Sequence, residues 1–222
     1  METSPTSARR PLRWRQISFA TAVVGVTVGL AGRATDHVDS DVVSWLGVVG
    51  APWLLVAFIT GAAIRDRRSA VVAGALSQAL AVAVYYFVML KVEHRAGREY
   101  AVVMTLGWAT LAALSGGVFA YFGALIHARS SRGRVVALTV CCGMLIGEAI
   151  FGFAVWSDSA ARTVLTAELA AGVAALALFA PRGHAGRVVA LTVSVALAAA
   201  LAEAGIVGAM LEVGWAGGRF GA

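Results

Sequence analysis

Two glutamates, Glu148 and Glu203, lie inside long apolar segments whose other charge is the arginine at the start. Each segment begins with the same octapeptide, GRVVALTV, which starts at Gly133 and again at Gly186. An ionisable side chain deep in a bilayer costs about 2.5–3.5 kcal/mol on insertion scales, so one found there usually faces the interior of a helical bundle. A carboxyl group in such a position can donate a proton, accept one or balance a cation. Glu148 and Glu203 are therefore the candidate catalytic residues.

The two acids are expected at nearly the same depth in the membrane. Each lies about eight residues before the end of its helix, which is roughly 12 Å at the rise of an α-helix. A third acid, Glu168, follows about five residues into the next helix after that of Glu148 and is expected to be shallower. All three carboxyls are thus predicted in the same, outer half of the membrane.

Unusual residues on other helices are expected at this depth as well. Pro52 must free a backbone carbonyl in its helix, which another group has to satisfy. Gln78 is too polar to face lipid comfortably and is expected to tie its helix to a neighbour. An aromatic ring beside a carboxyl can stabilise a cation. The candidate ligand-binding residues are Trp53, Tyr85, Tyr86, Trp108, Phe151 and Glu168.

Each of these residues also has a structural interpretation. Aromatic side chains within a turn or two of the interface anchor membrane helices. A buried, protonated glutamate can serve only as a hydrogen-bond donor between helices. For Glu168, near the headgroups, the structural interpretation is favoured. For Glu148 and Glu203 both interpretations remain open, because two acids on separate helices at one depth are harder to explain by packing alone.

The composition is that of an integral membrane protein. Of the 222 residues, 59% are hydrophobic and only 14% are charged, far outside the usual soluble range. The net charge of +6 is compatible with nucleic-acid binding, but the arginines are confined to short gaps between apolar runs, which indicates membrane topology instead. We expect the lipid bilayer, and no nucleic acid, as a partner.

No metal or other cofactor is predicted. Cys141 and Cys142 are adjacent in an apolar run, where neither a disulfide framework nor a metal-ligand spacing is available, and they are expected to be packing residues. His37 and His94 have no partner at metal-ligand spacing. The chain also lacks a nucleophile-elbow motif and a phosphate-binding glycine loop.

The elements that must position these residues are membrane-spanning helices. A helix needs about 20 mostly apolar residues to cross the hydrocarbon. The sequence therefore predicts an all-α integral membrane bundle of about seven transmembrane helices. The predicted spans are 16–32, 45–64, 69–90, 101–127, 135–156, 163–180 and 188–211. The first span follows a basic flank but is longer than a typical signal-peptide core, and we interpret it as a retained helix.

Basic residues predict the orientation of this bundle, because they remain on the cytoplasmic side. Twelve arginines fall at the N-terminus and in alternate gaps, against six basic residues on the other side, where most acids of the gaps also lie. This predicts a basic cytoplasmic tail over 1–15, one transmembrane domain over 16–211 and an external tail over 212–222. The expected location is the bacterial plasma membrane.

Three short segments carry a resemblance to a known family. They are GVVGAPWLLVAFITGA (47–62), AVYYF (83–87) and IGEAIFG (146–152). On these motifs the chain resembles a domain-of-unknown-function family of small bacterial multi-pass membrane proteins, over about 40–180. The resemblance implies no activity, but Pro52, Trp53, Tyr85, Tyr86 and Glu148 match positions of its pattern. A much looser likeness, in size and in carboxyls within helices, is to small seven-helix membrane terpene cyclases.

Three functions are compatible with these features. In the first, Glu148 or Glu203 protonates a lipid-soluble isoprenoid, aromatic rings stabilise the cation, and the protein is a metal-independent cyclase. In the second, an outward cavity binds or transports a small amphiphile or cation, and the glutamates relay protons or balance charge. In the third, the chain is a structural or assembly partner of another membrane protein.

Overall fold

The computed structural model describes residues 14–93, 98–128, 130–180, 183 and 185–212. Most of the predicted cytoplasmic tail, nearly all of the external tail and His94 lie outside these residues. The described part is all-helical, as expected. It contains eight α-helices and one short 3₁₀ helix: α1 (Trp14–Thr35), α2 (Asp41–Val48), α3 (Ala51–Ala63), α4 (Arg67–Lys91), α5 (Arg98–Ala124), the 3₁₀ helix Leu125–His127, α6 (Ser131–Val155), α7 (Ser159–Phe179) and α8 (Ala185–Glu212).

The predicted span 45–64 is not one straight helix. α2 and α3 together cover it, and they are bent by 58° at Val49 and Gly50. Pro52 explains the new start, because proline is tolerated in the first turn of a helix, where its missing N–H has no intrahelical partner. The segment after α1 is therefore a bent pair of helices, the short α2 followed by α3.

The remaining helices have the dimensions of transmembrane spans. Six helices of the described part are long and apolar enough to cross a membrane, or up to seven if the bent pair is one span. Many large apolar side chains on their surfaces are exposed, including Leu114, Leu178 and Leu201. Such exposure is normal when lipid covers the bundle, and it fits a multi-pass membrane protein.

Two groups of helices make up the bundle. The first consists of α1, α3, α4 and α5, and the second of α6 packed between α7 and α8. Helix α2 contacts both α1 and α7 and so connects the groups at one end. The bend between α2 and α3 lies where the groups meet.

Glycines allow the closest helix contacts, as the small-residue patterns suggest. A Cβ atom on Gly25 would lie 2.7 Å from the carbonyl oxygen of Ser77, so α1 packs directly on the backbone of α4. On α6, a Cβ atom on Gly143 would lie 2.7 Å from Cβ of Val195 in α8. The pattern Gly25-x-x-x-Gly29 therefore belongs to the α1–α4 interface, and Gly143-x-x-x-Gly147 belongs to the α6–α8 interface.

The ends of the bundle differ in charge. We call one end arginine-poor: there α1, α4, α6 and α8 end, and α2 and α7 begin. The opposite, arginine-rich end has short connections with exposed basic side chains at Arg65, Arg67, Arg68, Arg132 and Arg134. The three candidate glutamates all lie in the half of the bundle nearer the arginine-poor end, as the depth argument predicts.

Candidate functional site

Glu148 lies where the broken span changes direction. Its side chain is on α6 and is only 3% exposed. The backbone N–H of Gly50, the residue that precedes α3, donates a hydrogen bond to Glu148 Oε1. The first N–H groups of a helix have no intrahelical acceptor, and a carboxyl group there also interacts favourably with the helix dipole. Glu148 therefore caps α3 across the junction between the two helix groups.

The local sequence explains why this cap is needed. Neither Gly50 nor Ala51 has a side chain that can cap the helix, and no side-chain cap is formed from within the segment. Trp53 instead donates its indole N–H to the carbonyl oxygen of Gly47 at 3.2 Å, which satisfies one acceptor at the end of α2. The Gly-Ala-Pro-Trp segment thus leaves a donor inside the bundle for a carboxylate from another helix.

Glu168 and Glu203 lie on α7 and α8, the two helices that pack against the helix of Glu148. Glu168, on α7, is only 7% exposed. Glu203, on α8, is half-buried. The three acids from α6, α7 and α8 form one group, which we call the carboxyl cluster (Glu148, Glu168 and Glu203).

Most buried oxygen atoms of this cluster have no protein partner. Glu148 Oε2 and both carboxyl oxygens of Glu168 are buried without a hydrogen bond. The ion pairs found in the described part of the chain include none of the three glutamates. A buried carboxylate without a partner is unfavourable in a low-dielectric medium, so it must take up a proton or be paired with a cation. The cluster therefore has binding capacity that the protein itself does not fill.

The predicted aromatic residues are placed in other contacts. Trp53 packs against α1, where a Cβ atom on Gly32 would lie 2.5 Å from ring atom Cζ2. Tyr85 donates a hydrogen bond to Asp36 Oδ2 at 2.5 Å, and its ring packs edge-on against Tyr86, with 5.2 Å between centroids.

Three further predicted residues also have identifiable positions. Phe151 is buried beside Trp156, with ring centroids 6.1 Å apart, one turn beyond Glu148. Trp108 is 37% exposed on the surface of α5. Gln78 is buried, and its stem lies at the α4–α5 interface, where a Cβ atom on Gly116 would be 2.6 Å from Cγ of Gln78. Its amide nitrogen has no hydrogen-bond partner in the described part of the chain.

A second charged group, which the sequence reasoning did not find, lies at the arginine-poor end. Arg33, in the last turn of α1, is only 6% exposed. Its Nε donates to Glu93 Oε1 at 2.8 Å, its Nη2 pairs with Glu93 Oε2, and its Nη1 pairs with Asp36. The guanidinium also lies over the ring of Tyr85, 5.3 Å from the centroid. These residues join the end of α1 to the end of α4.

Both acids of this group, Asp36 and Glu93, lie in connections between the predicted spans. The signal that identifies them is a single arginine in the last turn of a span, followed three residues later by Asp36, on the side where acids predominate. The guanidinium of Arg33, with a smaller contribution from His37, lowers the pKa of Glu93 to about 2. Arg33 is therefore fully paired, and the group is a structural clamp rather than an open site.

No group of three or more His, Cys, Asp or Glu side chains within the described ranges could hold a metal ion. A family model described as a family of unknown function (DUF6518) matches residues 8–211. No curated protein and no solved structure matches the chain. The resemblance to a family of unknown function is thus confirmed, whereas the looser likeness to terpene cyclases gains no support.

Proposed function

The chain belongs to the DUF6518 family, and we propose that it binds a small organic cation at the carboxyl cluster and releases a proton in exchange. The protein is then a binding or transport protein of the membrane. The exchange takes place at Glu168, with Glu148 and Glu203 setting the charge around it. No cofactor takes part.

The observation that carries this proposal is the environment of Glu168. It is a buried acid with both carboxyl oxygens free of protein partners, next to two further acids. A carboxyl kept only for packing would be expected to hydrogen-bond a neighbouring helix, as Glu148 does with Gly50. Glu168 makes no such bond, so a ligand that reaches its oxygens displaces no protein partner.

Three neighbouring acids also explain why proton and cation compete. Like charges in a low-dielectric site repel, so the cluster cannot hold three negative charges without compensation. A proton and an organic cation each remove one unit of negative charge. The arrival of one therefore favours the departure of the other, which is the basis of proton-coupled binding in membrane proteins.

The geometry favours this function over the two others. A cyclase requires several aromatic rings around the acid. Phe151 lies one turn from Glu148 beside Trp156, but Tyr85 and Trp53 are engaged with α1 and its end. A purely structural role accounts for Glu148 as a helix cap and leaves Glu168 unexplained. The cation-binding hypothesis gives a role to each of the three acids.

We also propose that the arginine-rich end faces the cytoplasm of a bacterial cell and that the N-terminus is on that side. The support is the excess of basic residues in the connections at that end. The carboxyl cluster then lies in the outer half of the plasma membrane, and its ligand enters from outside.

The experiment that tests the function measures proton release. Tetraphenylphosphonium, a lipophilic organic cation, is added to the purified full-length protein in weakly buffered detergent solution at neutral pH. We expect saturable binding by calorimetry together with acidification of the solution. Glu168→Gln should abolish the acidification and weaken binding at least tenfold, since removal of one close charge partner is worth about 1.4 kcal/mol or more.

The matched control is Asp39→Asn, which removes one carboxylate from an exposed position outside the cluster. This variant should bind and release protons as the wild type does. Binding without proton release, or equal behaviour of Glu168→Gln and Asp39→Asn, contradicts the proposal.

A further inference from the structure

A polar cavity lies at the arginine-rich end, on the opposite side of the bundle from the carboxyl cluster. It has a volume of about 430 Å³ and is lined by Arg65, Arg67, Ala124, His127 and Ala128. These residues come from the α3–α4 connection and from the end of α5 with its 3₁₀ extension. Two arginines and a histidine thus converge on one space at the level where a helix bundle meets the headgroups.

No acid contributes to the lining of this cavity or pairs with its arginines in the described part of the chain. None of the lining residues is acidic. Asp66 lies between the two arginines in sequence, but its carboxylate caps α4, accepting from the N–H of Ser69 at 2.8 Å and from its hydroxyl at 2.6 Å. These bonds lower the pKa of Asp66 and hold its charge at the helix start. Neither arginine forms an ion pair within the described residues.

The walls of the cavity are held rigidly. A Cβ atom on Gly61 would collide with the backbone of Ala120, and one on Gly123 would collide with the carbonyl of Phe58. Helices α3 and α5 are therefore in backbone contact next to the cavity. This contact fixes the distance between the connection that carries the arginines and the 3₁₀ helix that carries His127.

Two side chains of the lining are positioned by further contacts. The guanidinium of Arg67 lies 5.9 Å from the centroid of the Tyr121 ring, a cation–π distance. The Nε2 atom of His127 is 2.5 Å from the carbonyl oxygen of Ala62. Because a carbonyl only accepts, Nε2 carries a proton and donates it there. The cavity is thus a preorganised set of cationic and hydrogen-bonding groups.

We propose that this cavity binds the phosphate of an anionic phospholipid headgroup. Arginine matches phosphate through its planar set of donors, and basic pockets between membrane helices are suited to anionic headgroups. The two Ala residues of the lining leave room for the glycerol part of the lipid. The site is independent of the carboxyl cluster and of the orientation of the chain, since anionic lipids can occupy either leaflet.

The test is a lipid titration of the purified full-length protein by native mass spectrometry. Dioleoylphosphatidylglycerol is compared with dioleoylphosphatidylcholine, and inorganic phosphate is added in a separate arm. We expect tighter binding of the anionic lipid and no displacement by inorganic phosphate. Arg65→Gln/Arg67→Gln should weaken phosphatidylglycerol binding about 25-fold, since each basic residue contributes about fivefold. The control Arg162→Gln, an exposed arginine at the opposite end, should leave binding unchanged.

The single variant Arg65→Gln protects the test against misfolding, because Arg65 is exposed and forms no ion pair in the described part of the chain. It should fold normally and bind the anionic lipid about fivefold more weakly. Equal affinity for both lipids, unchanged binding by folded Arg65→Gln, or an equal loss in Arg162→Gln overturns the proposal. Displacement of the lipid by inorganic phosphate also overturns it and assigns the site to free phosphate.

Discussion

Glu148 and Gly50 are 98 residues apart in sequence, and the backbone N–H of Gly50 donates a hydrogen bond to the Glu148 carboxylate. This bond joins the two helix groups at the point where the broken span bends by 58°. The carboxyl group of Glu148 therefore accepts the hydrogen bond of an N–H that the bend before α3 leaves without an intrahelical acceptor. The Gly-Ala-Pro-Trp segment that begins at Gly50 and the Gly147-Glu148 pair thus lie on the two sides of this contact.

The first prediction concerns the cap formed by Glu148. Glu148→Ala leaves the N–H of Gly50 buried without an acceptor, which should lower the free energy of unfolding by about 1–3 kcal/mol. Glu148→Gln keeps an oxygen acceptor and should retain most of the stability. Thermal unfolding of both variants in the same detergent measures the difference. Equal stability of the two variants would show that the bond to Gly50 contributes nothing.

The second prediction separates stability from binding at Glu168. Its carboxyl oxygens are buried without a partner, so Glu168→Gln replaces the protonated acid by a neutral side chain of similar size, breaks no hydrogen bond and should leave the unfolding temperature nearly unchanged. The same substitution should abolish proton release on tetraphenylphosphonium binding. Thermal unfolding and proton release are measured on one preparation. A large loss of stability would assign a structural role to this side chain.

The two octapeptides show what local sequence can and cannot predict. Both copies form helix, as their apolar patterns indicate. The equivalent threonines, Thr139 and Thr192, are buried in both copies, but Ala137 is buried in α6 whereas its equivalent Ala190 is exposed in α8, where Val188 is buried instead. The first copy is on the central helix of its group, and the second is on a peripheral helix that packs mainly on α6. Periodicity predicts the helices and their ends, but position within the bundle depends on partners that are distant in sequence.

The same limit applies to the candidate site: local sequence predicts some of its features, and contacts between distant helices determine the others. The cost of a buried charge singled out Glu148 and Glu203 from sequence alone, and their positions in the helices predicted one shared depth. The acceptor for the Gly50 N–H and the pairing of Arg33 with Glu93 could not be predicted, because each depends on which faces of distant helices meet. The aromatic residues were selected by depth only, and depth does not determine the direction in which a ring points.

The third prediction concerns the clamp formed by Arg33. Arg33→Gln leaves Asp36 and Glu93 without their cation and should lower the free energy of unfolding by about 3 kcal/mol. Arg33→Lys should lower the free energy of unfolding less than Arg33→Gln, because it keeps the positive charge and loses only the bidentate hydrogen bonds to Glu93. Chemical unfolding in detergent measures both. An Arg33→Gln variant as stable as wild type would show that the clamp does not contribute to stability.

The same clamp predicts a dependence on pH. The pKa of Glu93 is lowered from 4.5 to about 2 in the folded protein. Its stabilising contribution is therefore complete above about pH 4.5 and is lost as the pH falls through about 2. Unfolding temperatures of wild type and Glu93→Gln should converge over this window. A difference that stays constant across it would contradict the assignment.

The fourth prediction concerns orientation. In a Cys141→Ala/Cys142→Ala background, Asp39→Cys introduces a thiol at the arginine-poor end and Arg132→Cys introduces one at the arginine-rich end. Both positions are exposed. If basic connections remain in the cytoplasm, a membrane-impermeant maleimide should label only Asp39→Cys in intact bacteria and both variants after lysis. The reverse pattern would invert the proposed orientation.

The fifth prediction concerns the packing of α3 on α5. A Cβ atom on Gly61 would collide with the backbone of Ala120, which cannot move without separating the two helices. Gly61→Ala should therefore lower the free energy of unfolding by about 1–3 kcal/mol. The matched control is Gly205→Ala in α8, where no other atom lies within 4 Å of the new methyl group; alanine is the better helix former there, by up to about 1 kcal/mol. Thermal unfolding should place Gly61→Ala below wild type and Gly205→Ala at or above it, and the opposite order would show that α3 and α5 are not in backbone contact.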